Sequence, residues 1–304
     1  MSKTKALSED KAFKKSRNLR KRKRIPPSQV VIYVVLSLWA LTTVYPIIWI
    51  IINSFKAKNH ILENSFALPL GDTFTLANYR TAFERLNIFS AYRNSLLIST
   101  FVAISVMFIA GLAAFALVRF EFKGKKLVNS LIIAGMMFPV FSTIIPVFNM
   151  LFKVGLAGTN NLWLSLLSVS LPQIAGNLCF AIVLLSGYIR SLPIDLEEAA
   201  HLDGCNTWQI YFKIVVPLAR PSFATVGIFS FLWSYNDLFT QMFLLRLPEH
   251  RAITRLLNEL TAQEGTNYGL MAAAVALVVI PVVSVYIILQ KQIIKGMTAG
   301  AIKG

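Results

Sequence analysis

The sequence predicts an all-α membrane protein with six transmembrane helices and both termini in the cytoplasm. Only 14% of its 304 residues are charged and 56% are hydrophobic, whereas a soluble chain carries about 25% charged residues. Long charge-free apolar runs also recur along the chain, and about 20 apolar residues in a helix cross the hydrocarbon layer of a bilayer. Backbone groups in that layer must bond within their own segment, so each run is expected to be helical.

Six apolar segments are long enough to span a membrane. In chain order they cover residues 30–52, 95–118, 127–151, 162–188, 222–245 and 270–289. Prolines lie inside the first, third, fourth and sixth of them. Because neighbouring helices and water can bond the backbone groups that a proline frees, these residues predict kinks rather than helix ends.

Basic residues set the direction of the spans. The tail 1–29 carries eleven Lys and Arg, which the positive-inside rule places in the cytoplasm. Its basic region and the apolar run after it are too long for a cleaved signal peptide. With six crossings, the loop 119–126 and the tail 291–304 fall inside. The connections 53–93, 152–161 and 246–269 fall outside.

In a soluble protein, a net charge of +16 would suggest that nucleic acid is a binding partner. The charge lies in tails and loops without interleaved aromatic residues, so no nucleic-acid partner is expected. The basic run "RNLRKRKR" at 17–24 is better explained by anionic lipid headgroups beside the first span. The two cysteines, Cys179 and Cys205, suggest neither a disulfide framework nor a metal site.

The predicted cytoplasmic loop 190–221 is unusual because it is rich in acids. Four carboxylates lie within nine positions, at Asp195, Glu197, Glu198 and Asp203. Pro193 is suited to the start of a helix, and Asp195 and Glu198 have the spacing of a capping pair. Part of the acidity therefore starts a helix, and the rest needs another explanation.

The same loop predicts two helices joined by a glycine. Ala199 and Ala200 offer a smooth surface for another protein, and Gly204 ends the first helix because glycine readily adopts the left-handed conformation. A second helical pattern precedes Pro217, with one side formed by Trp208, Tyr211, Phe212 and Val215. Helices that lie on lipid prefer Lys and Arg on their polar face, so a socket on another protein is favoured over the membrane surface.

The spacing of these residues resembles the EAA loop of permease subunits in bacterial ABC importers. The match comprises Glu198, Ala199, Ala200, Gly204, Ile214, Val216 and Pro217, with Val216 where the family usually has Leu. The ending "GMTAGAIKG" at 296–304 resembles the smaller permease of the maltose-type sugar importers. The stretches "NYRTAF" at 78–83 and "SYNDLF" at 234–239 resemble that group too. The resemblance covers essentially the whole chain after the basic tail.

This resemblance implies a type I ABC importer transmembrane domain, with its core at 94–290. It implies a permease subunit of an ATP-driven sugar importer, oligosaccharide in particular, in the bacterial cytoplasmic membrane. The implied partners are a second, homologous permease, a cytoplasmic ATPase dimer and an extracytoplasmic sugar-binding protein. No catalytic residue is expected in this chain, which has no phosphate-binding loop motif. ATP and Mg²⁺ are expected on the ATPase, and no cofactor or metal on this chain.

The resemblance also assigns roles to residues of the loop. The loop is expected to form a coupling helix that docks on the ATPase and moves the permease as ATP is used. The coupling residues carried over by position are Glu198, Ala199, Ala200, Asp203, Gly204 and Pro217.

A polar stretch in the fifth span is the candidate substrate pathway. Asp237 is the only charged residue placed within a predicted span, and intramembrane charges are usually functional. Its neighbours Trp233, Tyr235 and Asn236 combine aromatic faces with hydrogen-bonding groups, which suits sugars. Fainter candidates in the fourth span are Gln173 and Asn177. Asn236 and Asp237 could instead bond across helices and hold the bundle together.

Two other function classes compete with the importer. A stand-alone secondary transporter or channel would show several intramembrane carboxylates or histidines, or matching broken repeats, and neither is evident. An intramembrane enzyme would need a nucleophile–base pair or a metal cluster at membrane depth. The three histidines, His60, His201 and His250, are all expected in loops.

Overall fold

The structure, a computed structural model, describes residues 26–85, 87–263 and 267–301. Almost all of the predicted basic tail, residues 86 and 264–266, and the last three residues lie outside the described residues. The chain divides into two compact units between Trp49 and Ile50, and each is described by itself. All helices named below belong to the described part, which contains no β-strand, only an isolated antiparallel bridge between Lys56 and Phe74.

The described residues are predominantly helical. The helices are α1 (Pro27–Ser54), α2 (Lys58–Glu63), α3 (Ala77–Arg85), α4 (Ile88–Arg119), α5 (Lys125–Met136), α6 (Val140–Lys153), α7 (Leu162–Ser191), α8 (Asp195–Leu202), α9 (Thr207–Leu218), α10 (Arg220–Asn236), α11 (Leu238–Leu244), α12 (Ile253–Gln263) and α13 (Tyr268–Ala301). Short 3₁₀ turns occur at Gly71–Thr73 and Pro248–His250.

Within the described residues, four helices are long and apolar enough to cross a membrane. They are α1, α4, α7 and the Tyr268–Ile287 part of α13. They coincide with the first, second, fourth and sixth predicted spans. Two sharply bent helix pairs bring the number of candidate spans to as many as six.

The third predicted span, 127–151, is a broken helix pair rather than one kinked helix. The α5 and α6 axes differ by 105°. Pro139 lies at the break with an extended backbone, φ −73° and ψ 113°. Proline has no N–H to continue the α5 hydrogen-bond ladder and also disfavours a helical residue before it, so the chain changes direction there.

The fifth predicted span, 222–245, is also interrupted. Helix α10 ends at Asn236, and α11 begins at Leu238. Asp237 between them is extended, and its Oδ1 accepts from the Thr240 N–H at 3.0 Å. An aspartate side chain that bonds a nearby backbone N–H competes with the helix itself, so Asp237 starts α11. The expectation that Asp237 lies within a continuous span is wrong.

The core of the larger unit is built on α4 and α7. Residues four apart on α4 form an almost completely buried stripe, comprising Ile98, Val102, Val106, Ala110 and Ala114. It joins buried residues of α7 in one cluster, among them Ala181, Leu185 and Ile189. Small residues along such a stripe let helices approach closely, which membrane helices use in place of a hydrophobic driving force.

The connection 246–263 packs against the core. The Asn94 amide donates to Glu249 O at 3.1 Å, and His250 Nδ1 lies 3.0 Å from Ser165 Oγ. Helix α12 buries one face in a second hydrophobic cluster with α3, α4 and α13. The three histidines lie outside the candidate spans, as expected, with His60 in α2, His201 in α8 and His250 in the 3₁₀ turn.

The stretch "NYRTAF" has a structural role that the sequence does not reveal. Buried Asn78 donates from Nδ2 to Ser54 O at 2.9 Å and to Lys56 O at 2.8 Å. These carbonyls stand at the end of α1, where helix carbonyls lack partners within the helix. The hydroxyl groups of Tyr79 and Ser54 lie 2.8 Å apart. The beginning of α3 therefore caps the end of α1.

We expect Asn78→Ala to lower the melting temperature of the purified protein by several degrees. It removes a buried donor shared by two carbonyls, and an unsatisfied buried group costs about 1–3 kcal/mol. The control is Arg80→Ala on the same helix, which breaks only an exposed pair with Glu84. Exposed ion pairs contribute little, so equal melting shifts for both variants would contradict the capping role.

Candidate functional site

The end of α8 is a sharp turn that depends on Gly204. The Gly204 N–H donates to His201 O at 3.1 Å, and the Cys205 N–H donates to Ala200 O at 2.9 Å. These two bonds form a Schellman motif, which needs a left-handed residue after the helix. Gly204 supplies it with φ +84°. The predicted helix-ending role of Gly204 is confirmed.

The next helix begins with a capping box that the sequence analysis missed. Asn206 Oδ1 accepts from the Gln209 N–H, and Gln209 Oε1 accepts from the Asn206 N–H, each at 2.9 Å. The signal is visible in the sequence as Asn followed three positions later by Gln. The two caps together fix both sides of the turn between α8 and α9.

The predicted capping pair at the start of α8 is wrong. Ile194 is the N-cap residue, with a helical backbone and no side-chain bond to the helix. Asp195 is therefore already in the first turn, together with Glu197 and Glu198. Carboxylates there are still favourable because they face the positive end of the helix dipole.

Five exposed residues around this turn form what we call the elbow surface, consisting of Glu198, Ala199, Leu202, Asp203 and Gly204. The exposed His201 lies beside them. Ala200, which was expected on that surface beside Ala199, is buried in the main core cluster. Leu202 was not anticipated, and 90% of it is exposed. A large apolar side chain left so open among carboxylates is a candidate contact for another protein.

The predicted apolar side of α9 is only half buried. Tyr211 and Val215 are buried, whereas Trp208 and Phe212 are exposed and stack with ring centroids 6.2 Å apart. The Phe212 ring also contacts the Tyr211 ring at a centroid distance of 4.9 Å, and the residues from 211 to 215 form a π-helical segment. Pro217 is exposed in the last turn of α9, just before the chain bends by 79° into α10.

A polar network surrounds the break between α10 and α11. Gln173 of α7 donates from Nε2 to Asp237 Oδ2 at 2.8 Å, and its Oε1 accepts from Ser234 Oγ at 2.6 Å. Gln241 Nε2 donates to Ser234 O at 3.1 Å, and Gln241 Oε1 accepts from Thr254 Oγ1. The network ties α7, α10, α11 and α12 together.

The other predicted pathway residues lie at different places around this break. Asn177 is buried and donates to Gln173 O at 2.7 Å, whereas Asn236 is exposed and donates to Leu232 O at 2.8 Å. Tyr235 is buried in the second hydrophobic cluster. Trp233 is half exposed and contacts Phe180.

A cavity of about 480 Å³ opens beside the network. It lies between α5, α6, α7 and the α10–α11 break, and its lining includes Pro172, Cys179, Phe180, Trp233 and Thr240. Aromatic faces and a threonine hydroxyl around a concave space can contact the rings and hydroxyl groups of a sugar. Trp233 and Thr240, on the two sides of the α10–α11 break, both line this cavity. Asp237 and Gln173 stabilise the break itself.

Comparison with known proteins identifies the family. Residues 106–299 match the family described as "Binding-protein-dependent transport system inner membrane component". The diacetylchitobiose uptake system permease protein NgcG of Streptomyces coelicolor is 32% identical over 274 residues, covering 89% of this chain and 88% of the relative. The galactooligosaccharides transport system permease protein GanQ of Bacillus subtilis is 33% identical over 276 residues, covering 90% and 94%.

A solved structure agrees with these relatives. A chain of a bacterial ABC transporter involved in the import of the acidic polysaccharide alginate superposes with a TM-score of 0.72 at 26% identity, covering 86% of this chain and 95% of that one. The family match covers more than half of the sequence and includes both the elbow and the α10–α11 break. The chain is therefore a multi-pass membrane protein that belongs to the family of binding-protein-dependent transport system inner membrane components.

Proposed function

We propose that this chain is the permease subunit of an ATP-driven oligosaccharide importer. Family membership carries the permease assignment. The names of the relatives, which refer to diacetylchitobiose and galactooligosaccharides, support the substrate class. The chain forms half of the translocation pathway, and ATP hydrolysis takes place on a separate subunit that holds ATP and Mg²⁺.

The proposed orientation has six crossings in the bacterial cytoplasmic membrane. The bent α5–α6 pair counts as one crossing, and α10 with α11 as another. The tails 1–29 and 291–304 and the elbow lie in the cytoplasm, since the positive-inside rule places the basic segments there. The segments 53–93 and 246–269 then face outward, toward an extracytoplasmic sugar-binding protein.

The elbow surface is the proposed docking site for the cytoplasmic ATPase dimer. The exposed Leu202 supports this assignment most strongly, because a membrane-surface helix would place such a side chain in lipid and surround it with Lys and Arg. Here its neighbours Glu198 and Asp203 are acidic. A second, homologous permease completes the pathway.

The cavity beside Trp233 is the proposed route of the sugar. Both carboxylate oxygens of Asp237 are already bonded, to the Thr240 N–H and to Gln173. We therefore assign Asp237 and Gln173 to holding the helix break open, and Trp233 to contact with the sugar. Asn177, Tyr235 and Asn236 support the surrounding helices.

The docking role is tested by Leu202→Asp in the complete transporter. We expect the ATPase subunit to co-purify poorly with the variant, because a carboxylate that replaces the leucine would lose its hydration in an apolar socket. The matched control is Leu62→Asp in the 53–93 segment, where Leu62 is 63% exposed. Unchanged ATPase recovery with Leu202→Asp would contradict docking through the elbow surface.

A further inference from the structure

An ion pair outside the elbow surface joins the end of α4 to α8. Arg119 Nη2 lies 2.7 Å from Glu197 Oε1, and Arg119 Nε donates to the two carboxylate oxygens at 2.9 and 3.1 Å. Only 12% and 11% of the two side chains are exposed. Charge-assisted bonds from a planar guanidinium to one carboxylate fix both distance and orientation.

The same guanidinium also holds the end of α7. Arg119 Nη2 donates to Ile189 O at 3.0 Å and to Leu192 O at 3.4 Å. Carbonyls at a helix C-terminus carry partial negative charge and lack partners within the helix. One side chain therefore bonds to α7 and α8 while belonging to α4, so three helices meet at Arg119.

Glu197 lies on the face of α8 opposite to the elbow surface. Glu197 and Ala200 are the buried residues of α8, whereas Glu198 and Leu202 are exposed. Ala200 contributes only a methyl group to the core, and such an apolar contact has no fixed direction. The bonds from Arg119 to Glu197 resist both sliding and rotation of α8 because their geometry is fixed.

We propose that Arg119 is a positioning residue that transmits the movement of α8 to α4 and α7. The proposal rests on the proposed function, in which the ATPase moves the elbow. Through the chain alone, that movement reaches α7 through residues 192–194 on one side, and α9 and then α10 on the other. The Arg119–Glu197 pair adds a route to α4, which the chain does not join to α8 directly, and Arg119 also bonds the end of α7.

The test is the number of sugar molecules imported per ATP in the complete transporter, reconstituted with its binding protein. We expect Arg119→Met and Glu197→Gln to lower this ratio about tenfold, with ATP hydrolysis close to that of the wild type. The double variant should be no worse than the worse single one, because both act through one contact. The control is Glu121→Gln, which breaks an ion pair between Glu121 and Lys125. The Glu121 side chain is 89% exposed, so this pair contributes little.

Three outcomes separate this inference from the proposed function. If both single variants keep the wild-type ratio, the transmission role is wrong, although the permease function stands. If uptake and ATP hydrolysis fall equally, the pair serves assembly rather than transmission, which also overturns the inference. If Leu202→Asp leaves ATPase association intact, the docking role itself fails.

A variant that keeps the charge covers the case in which Arg119→Met does not assemble. Arg119→Lys retains a cation but loses the planar fork that reaches the carboxylate and two carbonyls together. We expect it to assemble, to keep its melting temperature within a few degrees, and to lower the sugar-to-ATP ratio about threefold. A wild-type ratio in Arg119→Lys would contradict the need for the fork.

Discussion

Replacing Gly204 with valine is expected to reduce sugar uptake at least tenfold and to weaken ATPase association. Gly204 has φ +84°, and the left-handed conformation costs an L-residue about 1–2 kcal/mol, more for a β-branched one. The expected loss does not come from a steric clash within the chain, since a Cβ at Gly204 would meet no atom within 4 Å. The loss arises because the turn opens and a side chain enters the docking surface.

A second turn of the same type provides the control for Gly204→Val. Gly155 follows α6 with φ +74°, and the bonds Gly155 N to Phe152 O and Leu156 N to Leu151 O repeat the Schellman pattern. A Cβ there would also meet no atom within 4 Å. Gly155→Val carries the same strain away from the elbow, so an equal loss of ATPase association would assign the Gly204 effect to folding.

The second large effect is expected from Gln173→Leu. The substitution removes the partner of Asp237 Oδ2 and of Ser234 Oγ, both in the network at the α10–α11 break. Leaving buried polar groups unsatisfied costs about 1–3 kcal/mol, and more where one is charged. We expect a lower melting temperature in detergent and loss of most of the sugar uptake.

Two further variants locate the cause of the Gln173→Leu effect. Asn236→Ala lies at the same break, but Asn236 is exposed and bonds only within its own helix, so its melting temperature should not change. Asp237→Asn keeps an acceptor for the Thr240 N–H and should lose less stability than Gln173→Leu. If Gln173→Leu melts and transports like the wild type, the network does not hold the break.

Continuous apolar helices could be predicted from the sequence because their signal is local. Helices α1, α4, α7 and α13 each contain a long run without charge, and hydrocarbon thickness then sets the length needed. The glycine turn was predictable for the same reason, since residue type and spacing at Gly204 determine a helix end.

The breaks in the third and fifth spans were not predictable from composition. A proline such as Pro139 produces either a kink or a break, depending on whether neighbouring helices bond the freed backbone groups. Likewise, Asp237 looks like an intramembrane charge until Gln173, far away in sequence, is known to lie beside it. Both outcomes depend on tertiary neighbours that a single sequence does not show.

The site was predicted in position but only partly in detail. The orientation of α8 decides that Ala200 faces the core and Leu202 faces outward, and this orientation follows from packing rather than from local spacing. Arg119 and Glu197 stand 78 positions apart, so no motif joins them. From the sequence alone, Arg119 is only one of the basic residues in the loop 119–126 that indicates membrane orientation.

Gly269 at the start of α13 gives the larger unit a closed chain path. A Cβ there would lie 2.5 Å from Lys56 O and 2.7 Å from Asn78 Nδ2, so only hydrogen fits where these three segments meet. The start of α13 therefore packs directly against Lys56, which follows α1, and against Asn78 of α3. Separating the start of α13 from these residues would expose the Asn78 amide and the Lys56 carbonyl to which it donates.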